Sequence, residues 1–232
     1  PVKDATQFEE VLQALPAQSP RIYTIASSNA AHNGEVHLTV EKYVFEVNKE
    51  KKLGVCSDYL AQLTENESFE FFVQKNKRFR LPAPDKDILM IGPGTGIAAF
   101  RSFLGERDAT CATGKNWLFF GEQYFVSDFL YQTEIQNWYG TGVLSKLSLA
   151  FSHDQSERIF VHDRMLEHGK ELYDWVQSGA YIYVCGEKTP MSVEVENTLL
   201  TIFERYGTLS KEGARQYFEK LKEEGRYSKD VY

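Results

Sequence analysis

From Asp87 onward, short apolar runs alternate with longer stretches of helical periodicity, and few folds accept that pattern. The runs 88–91, 117–120, 147–151 and 181–185 are rich in apolar and aromatic residues, as strands covered on both faces are. Residues 98–107, 128–139, 163–177, 192–206 and 211–224 read as helices between and after them. This alternation predicts a doubly wound parallel sheet with helices on both faces, because parallel neighbours need a crossover connection. The first run leads straight into Gly92-Pro93-Gly94-Thr95-Gly96 and then the helical pattern Ile97-Ala98-Ala99-Phe100. Ile97 holds the sixth position, so this is not the standard six-position glycine fingerprint. Its context places it at the carboxyl ends of the strands, where open α/β sheets bind ligands. A tight strand-to-helix turn with no ligand is the plainer alternative.

The first third has a different texture. Residues 22–25, 36–40 and 69–73 are rich in β-formers, and 57–63 reads as one short helix. Together they predict a small antiparallel barrel over 21–85. Before it, Phe8, Val11, Leu12 and Leu15 lie at helical spacing and lead into Pro16-Ala17-Gln18-Ser19-Pro20, a linker signal. The expected fold class is therefore α/β plus β: a linker remnant over 1–20, a barrel over 21–85 and a nucleotide-binding domain over 86–232.

The net charge of −7 argues against a nucleic-acid partner, which needs clustered cations. The longest basic stretch, Lys75-Asn76-Lys77-Arg78, is short and reads as a solvated loop. Three cysteines, Cys56, Cys111 and Cys185, without paired spacing indicate a reducing, cytoplasmic compartment rather than a disulfide framework. No metal-ligand spacing, membrane-span run or signal peptide is visible. The chain opens at Pro1 with no initiator Met, which suggests a processed protein or a fragment.

Four places could carry chemistry. Arg21, Tyr23 and Thr24 set a cation, a flat ring and a hydroxyl side by side on an expected strand. They suit a flavin dinucleotide, which needs a charge for its pyrophosphate, a stacking surface and a donor near its reactive nitrogen; an ordinary strand with a solvated Arg is the alternative. The Gly92–Gly96 turn suits a second dinucleotide, because glycine admits close approach of backbone to phosphate. Gly54-Val55-Cys56-Ser57 opens the expected short helix, whose N-terminal amides can hold an anion or simply be capped by Ser57. Cys185-Gly186 ends an apolar strand at the carboxyl edge of the sheet, although a cysteine there is more often a small buried hydrophobe.

Taken in order, these motifs identify a family resemblance. Arg21-Ile22-Tyr23-Thr24-Ile25-Ala26-Ser27-Ser28 resembles the flavin signature of the diflavin reductases, built on a ferredoxin–NADP reductase-like FAD/NADPH module. Arg80-Leu81-Pro82, Ile91 to Ala98, Asp128-Phe129-Leu130-Tyr131, Ile182 to Gly186 and Arg226 to Tyr232 follow in the family's order. The phrase Gly114 to Gly121 and the terminal Tyr are most similar to the branch that serves sulfite reduction. The resemblance covers the chain from about Arg21 to Tyr232.

The resemblance implies hydride transfer from NADPH to FAD, with electrons passed on to an FMN domain absent from this chain and then to a haem-containing sulfite reductase subunit or similar acceptor. Arg21 would neutralise the FAD pyrophosphate, Tyr23 would stack on the isoalloxazine, and Thr24 would hydrogen-bond its N5 edge. Gly54, Val55, Cys56 and Ser57 would wrap the pyrophosphate, with Phe45 near the adenine. Gly92, Gly94 and Thr95 would hold the nicotinamide nucleotide. Cys185 would sit beside the nicotinamide, Asp230 would orient Cys185 and the flavin, and Tyr232 would cover the second flavin face as a gate. Ser152, His153, Arg158 and Phe160 lie where the family binds the 2′-phosphate of NADPH. The family usually has Arg at His153 and Tyr at Phe160, so a charge and a hydroxyl are lost. A hydrogen bond to a charged group is worth about 1.5–3 kcal/mol, so discrimination against NADH should be weaker here. Glu187-Lys188-Thr189-Pro190 also departs from the family pattern, and its contact stays unassigned.

Twenty residues before Arg21 cannot hold the family's FMN domain, connecting domain and opening barrel strands. The barrel is therefore expected to be incomplete at its N-terminal side, as in a piece of a longer protein. Two other readings stay open. One is a stand-alone NAD(P)H-dependent flavodoxin or ferredoxin reductase, against which the Arg226–Tyr232 tail counts. The other is a flavin-free nucleotide-binding or interaction module.

Overall fold

The computed structural model describes residues 4–15 and 19–232. The expected Pro16-Ala17-Gln18 turn lies outside the described residues. In chain order the elements are α1 (Ala5–Ala14), α2 (Asn29–His32), β1 (Val44–Val47), β2 (Glu50–Leu53), α3 (Val55–Gln62), β3 (Ile88–Ile91), α4 (Ile97–Ala109), β4 (Asn116–Glu122), α5 (Phe125–Asp128), α6 (Gln132–Thr141), β5 (Lys146–Phe151), α7 (Val161–Glu167), α8 (Gly169–Gln177), β6 (Tyr181–Gly186), α9 (Met191–Gly207), α10 (Lys211–Glu223) and β7 (Tyr227–Val231). They divide into two compact units. The larger comprises Thr24–Glu41 with Leu63–Tyr232; the smaller comprises the described residues up to Tyr23 with Lys42–Gln62.

The larger unit holds the expected sheet. Its five strands run in the order β5-β4-β3-β6-β7, all parallel. The chain leaves β3 toward β4 on one side and returns to β6 on the other, so β3 and β6 flank the topological switch point. All four residues of β3 are buried. Their period-2 alternation feeds two cores: Leu89 and Ile91 pack with Trp117, Phe119, Ile182 and the faces of α7–α10. Ile88 and Met90 pack with Leu118, Phe120, Tyr183 and the inner faces of α4 and α6. Each such side chain contributes about 1.5–3 kcal/mol by leaving water. Caps mark element ends: Ser210 accepts from the Gly213 amide at the start of α10, and Lys220 and Lys222 lie in its last turn.

In place of the expected barrel over 21–85 stands a two-stranded antiparallel sheet in the smaller unit, β1 paired with β2. Asn48 and Lys49 both take positive φ (52° and 66°) in the two-residue turn between them, as a right-twisted hairpin requires. The runs expected as strands do not form ladders. Ile25 and Leu38 make an isolated antiparallel bridge, and 69–73 carries no regular secondary structure. Phe71, Phe72 and Val73 are each more than three-fifths exposed. A strand needs a neighbour for its amides and carbonyls, and no ladder among the described residues includes 69–73.

Candidate functional site

The turn after β3 is built for close packing behind and open approach in front. A Cβ on Gly96 would lie 2.1 Å from the Cys185 carbonyl oxygen. That glycine is what lets the start of α4 press against the end of β6. Gly94 has φ +58°, and a Cβ there would meet only the Glu122 Oε1, at 3.4 Å. So Gly96 serves the sheet, and Gly94 is the one with an open face toward a ligand.

Cys185 and Asp230 are direct partners in the β6–β7 register, which puts their side chains on the same face. The Thr24 hydroxyl donates to Asp230 Oδ2 at 2.8 Å. The Thr24 hydroxyl also lies close enough to the Cys185 sulfur to favour its ionised form slightly. Cys185 is fully buried. That burial, with the Asp230 charge beside it and only partly offset by the Thr24 hydroxyl, pushes its thiol up to about 12. The group is a neutral thiol at physiological pH, not a nucleophile. The second Asp230 oxygen accepts from the Asn76 amide at 3.3 Å.

Tyr232 closes this edge. Its backbone N–H donates to the Gly186 carbonyl at 3.2 Å, and its carbonyl accepts from Lys188 N–H at 2.9 Å. Its phenol shares a short hydrogen bond with the Thr95 hydroxyl. The ring is otherwise open to solvent, 59% exposed.

The segment that follows Thr24 is held by Arg101, which is 7% exposed on α4. Its guanidinium grips Glu134 of α6 with two bonds (2.7 and 2.9 Å). It donates to the Ala26 carbonyl at 2.9 Å and contacts His37 Nδ1 at 2.8 Å. It also lies over the Tyr131 ring, 4.6 Å from its centroid. Motif reading missed Arg101; its signal was a lone cation in an apolar helical stretch.

The loop between β5 and α7 carries the expected phosphate residues. Ser152 N–H donates to the Glu122 carbonyl at 2.9 Å and His153 N–H to that of Gln123 at 2.9 Å. Ser152 Oγ and His153 Nδ1 lie 2.9 Å apart, and the His153 ring packs on Tyr124. Arg158 is exposed, with no hydrogen bond or ion pair among the described residues. Phe160 stacks on His162, with ring centroids 5.6 Å apart. Glu122 itself is part-buried, and desolvation raises its carboxyl, with Asp128 and Glu41 adding repulsion.

In the smaller unit, burial first and then the neighbouring Cys56 side chain push the Tyr23 phenol up to about 12, against the pull of Arg21. Arg21 donates to the Ser19 carbonyl at 2.9 Å and is exposed. Ser57 Oγ donates to the Gly54 carbonyl at 3.2 Å and accepts from Tyr43 N–H at 3.1 Å. Its hydroxyl is thus spent inside the protein, and what the start of α3 can offer an anion is backbone N–H. Val55 is exposed there. Phe45 stacks on Tyr43, 5.7 Å between centroids.

A glycine turn at the switch point, with an open Gly94 and a polar edge beyond it, is the layout of a nucleotide site. Residues 90–196 match the family model of the oxidoreductase NAD-binding domain. The match to this NAD-binding domain runs from β3 into α9 and so includes Gly94, Ser152, Arg158 and Cys185. Over 98% of its length the chain is 46% identical to the sulfite reductase (NADPH) flavoprotein alpha-component of Bacillus subtilis. It is 46% identical over 97% to that of Vibrio vulnificus and 44% identical over 100% to that of Cronobacter sakazakii. The resemblance read from the ordered motifs is borne out. The chain spans 38%, 37% and 40% of the lengths of these three relatives. No helix among the described residues is long and apolar enough to cross a membrane.

Proposed function

We propose that this chain takes hydride from NADPH onto FAD and sends the electrons onward toward sulfite reduction. The observation that carries the reading is the Thr24–Asp230–Cys185 cluster at the carboxyl edge of the sheet, beside a glycine turn whose hydroxyl residue, Thr95, tethers Tyr232. In this reading 21–85 is the flavin-binding part, a portion of an antiparallel barrel, 86–232 is the nucleotide-binding part, and 1–20 is connecting chain. Bound NADPH supplies the hydride, and bound FAD accepts it and can release electrons singly.

The residues present fit these groups. Gly94 leaves its outer face clear for a nucleotide backbone. Arg21 would offer charge to the FAD pyrophosphate with the Val55, Cys56 and Ser57 amides, the Gly54 N–H being bonded to the Tyr43 carbonyl at 2.8 Å, and Tyr23 a ring face. Thr24 would turn its hydroxyl to the flavin edge. Asp230 would set a negative charge near a nicotinamide that becomes cationic on losing hydride, a preorganised stabilisation of the developing charge. Cys185, held neutral, would lie beside that ring without attacking it. Ser152, His153 and Arg158 would take the 2′-phosphate, with Phe160 beside them lacking the family's hydroxyl, so NADH is only weakly excluded. The electrons would pass to an FMN domain and a haem partner, in the cytoplasm.

Anaerobic mixing of the FAD-loaded chain with NADPH tests this directly. Bleaching of the visible flavin band within seconds is expected; a bound flavin that stays oxidised for minutes overturns the reading.

A further inference from the structure

The basic loop Lys75-Asn76-Lys77-Arg78 carries a side chain that the charge pattern hides. Asn76 Oδ1 accepts from the amides of Arg78 (3.1 Å) and Phe79 (3.2 Å). This is an Asx turn, and it fixes which way the amide faces. With Oδ1 committed to two donors, Nδ2 points to Asp230 Oδ1 at 3.3 Å. A flipped amide would set oxygen against carboxylate and nitrogen against two N–H groups. The loop is fastened further: Arg80 Nε donates to the Asn76 carbonyl (3.3 Å), Ser228 Oγ to the Arg78 carbonyl (3.0 Å), and the Tyr183 phenol to the Arg80 carbonyl (2.6 Å). Phe79 is buried against Phe103 and Tyr183, anchoring the turn in the core.

Asp230 therefore has one oxygen on Thr24 and the other on Asn76. Without the second donor its carboxylate is free to rotate about its last bond. We infer that Asn76 is a positioning residue for the hydride-transfer site: it locks the Asp230 carboxylate so that the same oxygen always meets Thr24 beside Cys185. This inference rests on the function proposed above. The groups facing Asp230 are the Cys185 thiol from β6, the Thr24 hydroxyl, the Asn76 amide and, electrostatically, the Tyr232 phenol. Among the described residues no Lys or Arg forms an ion pair with Asp230, so the amide is the donor that a change at position 76 removes.

Asn76→Asp is the test, because it keeps the acceptor oxygen of the turn and changes only the group facing Asp230. Two carboxylates at this distance cannot both ionise cheaply. At low pH they share a proton and the lock is restored; as pH rises the shared proton leaves, they repel, and the lock opens. Stopped-flow flavin reduction by saturating NADPH in Asn76→Asp should match wild type within about 2-fold at low pH and fall roughly 10-fold as pH rises. Asn76→Ser keeps a turn acceptor but cannot reach Asp230, and should lose about 3- to 10-fold at every pH. A second readout needs no cofactor: carboxyl NMR of Asp-labelled protein should show the Asn76→Asp pair titrating in two coupled steps. Two independent, ordinary carboxylate titrations, or an Asn76→Asp rate profile parallel to wild type, would overturn the inference. If wild type reduces no flavin, the functional reading fails while the NMR titration still decides whether Asn76 engages Asp230.

Discussion

Gly96 and Cys185 meet at 2.1 Å from an absent Cβ, and the contact is with backbone, which cannot swing aside. Gly96→Ala is expected to cost about 3 kcal/mol, read as a lower urea midpoint at unchanged slope. Cys185 makes a pH prediction with a definite sign. Its thiol is pushed up to about 12 in the fold, against about 8.5 in an unfolded chain. The folded state holds that proton more tightly, so the stabilisation is complete below the unfolded value and is lost as pH rises from there toward about 12. The decline should approach ~1.4 kcal/mol per pH unit from this group, and Cys185→Ala should decline less steeply over the same window. In flavin reduction the same variant should be slow at saturating NADPH with little change in nucleotide affinity. Arg158→Glu should depress NADPH use more than NADH use if the exposed guanidinium takes the extra phosphate as proposed; equal losses would remove it from that site. These residues were legible because their chemistry is carried in short motifs. Arg101 and Asn76 were not, since what matters about them is the partner 64 and 154 positions away, respectively, in His37 and Asp230.

The strands of the parallel sheet were readable because burial on both faces leaves an apolar run with sharp ends, and β3 falls on 88–91 as expected. The helices were readable except where local geometry interrupts them. The stretch expected as one helix over 163–177 is two, parted at His168, because Gly169 lets α8 lie against Tyr206, where a Cβ would come within 2.6 Å. The expected helix at 128–139 is broken by Tyr131, whose φ of 56° brings its phenol within 2.7 Å of the Thr39 hydroxyl. β7 escaped notice because a Tyr-Ser-Lys-Asp-Val edge strand has no apolar run; it is recruited by pairing with β6. The segment Thr24–Glu41 has little regular structure and depends on α4 and α6 through Arg101. Arg101→Leu is therefore expected to cost about 2–3 kcal/mol. It should also speed hydrogen exchange at the Ala26 amide, which is bonded to the His37 carbonyl at 2.8 Å. Protection of Ala26 equal to wild type would show that the segment holds itself.

The five-stranded parallel sheet expected over 86–232 is present, whereas over 21–85 a two-stranded hairpin stands where a barrel was expected. With FAD bound, the chain should reduce ferricyanide at the expense of NADPH, whereas reduction of sulfite should appear only when the remaining components are added; sulfite turnover by the chain alone would refute that division. Deleting Tyr232 should raise NADH use relative to NADPH. The terminal residue is stitched by both backbone groups to Gly186 and Lys188 while its phenol rests on Thr95. In the proposed reading it would act as an internal competitor for the nicotinamide position, present at a local concentration that dilution cannot change. An incoming nucleotide would have to evict it, so apparent affinity would be scaled down to the fraction of time the ring is away. The same ring, falling back, would hasten departure of the spent nucleotide, coupling weak binding to rapid turnover in one side chain.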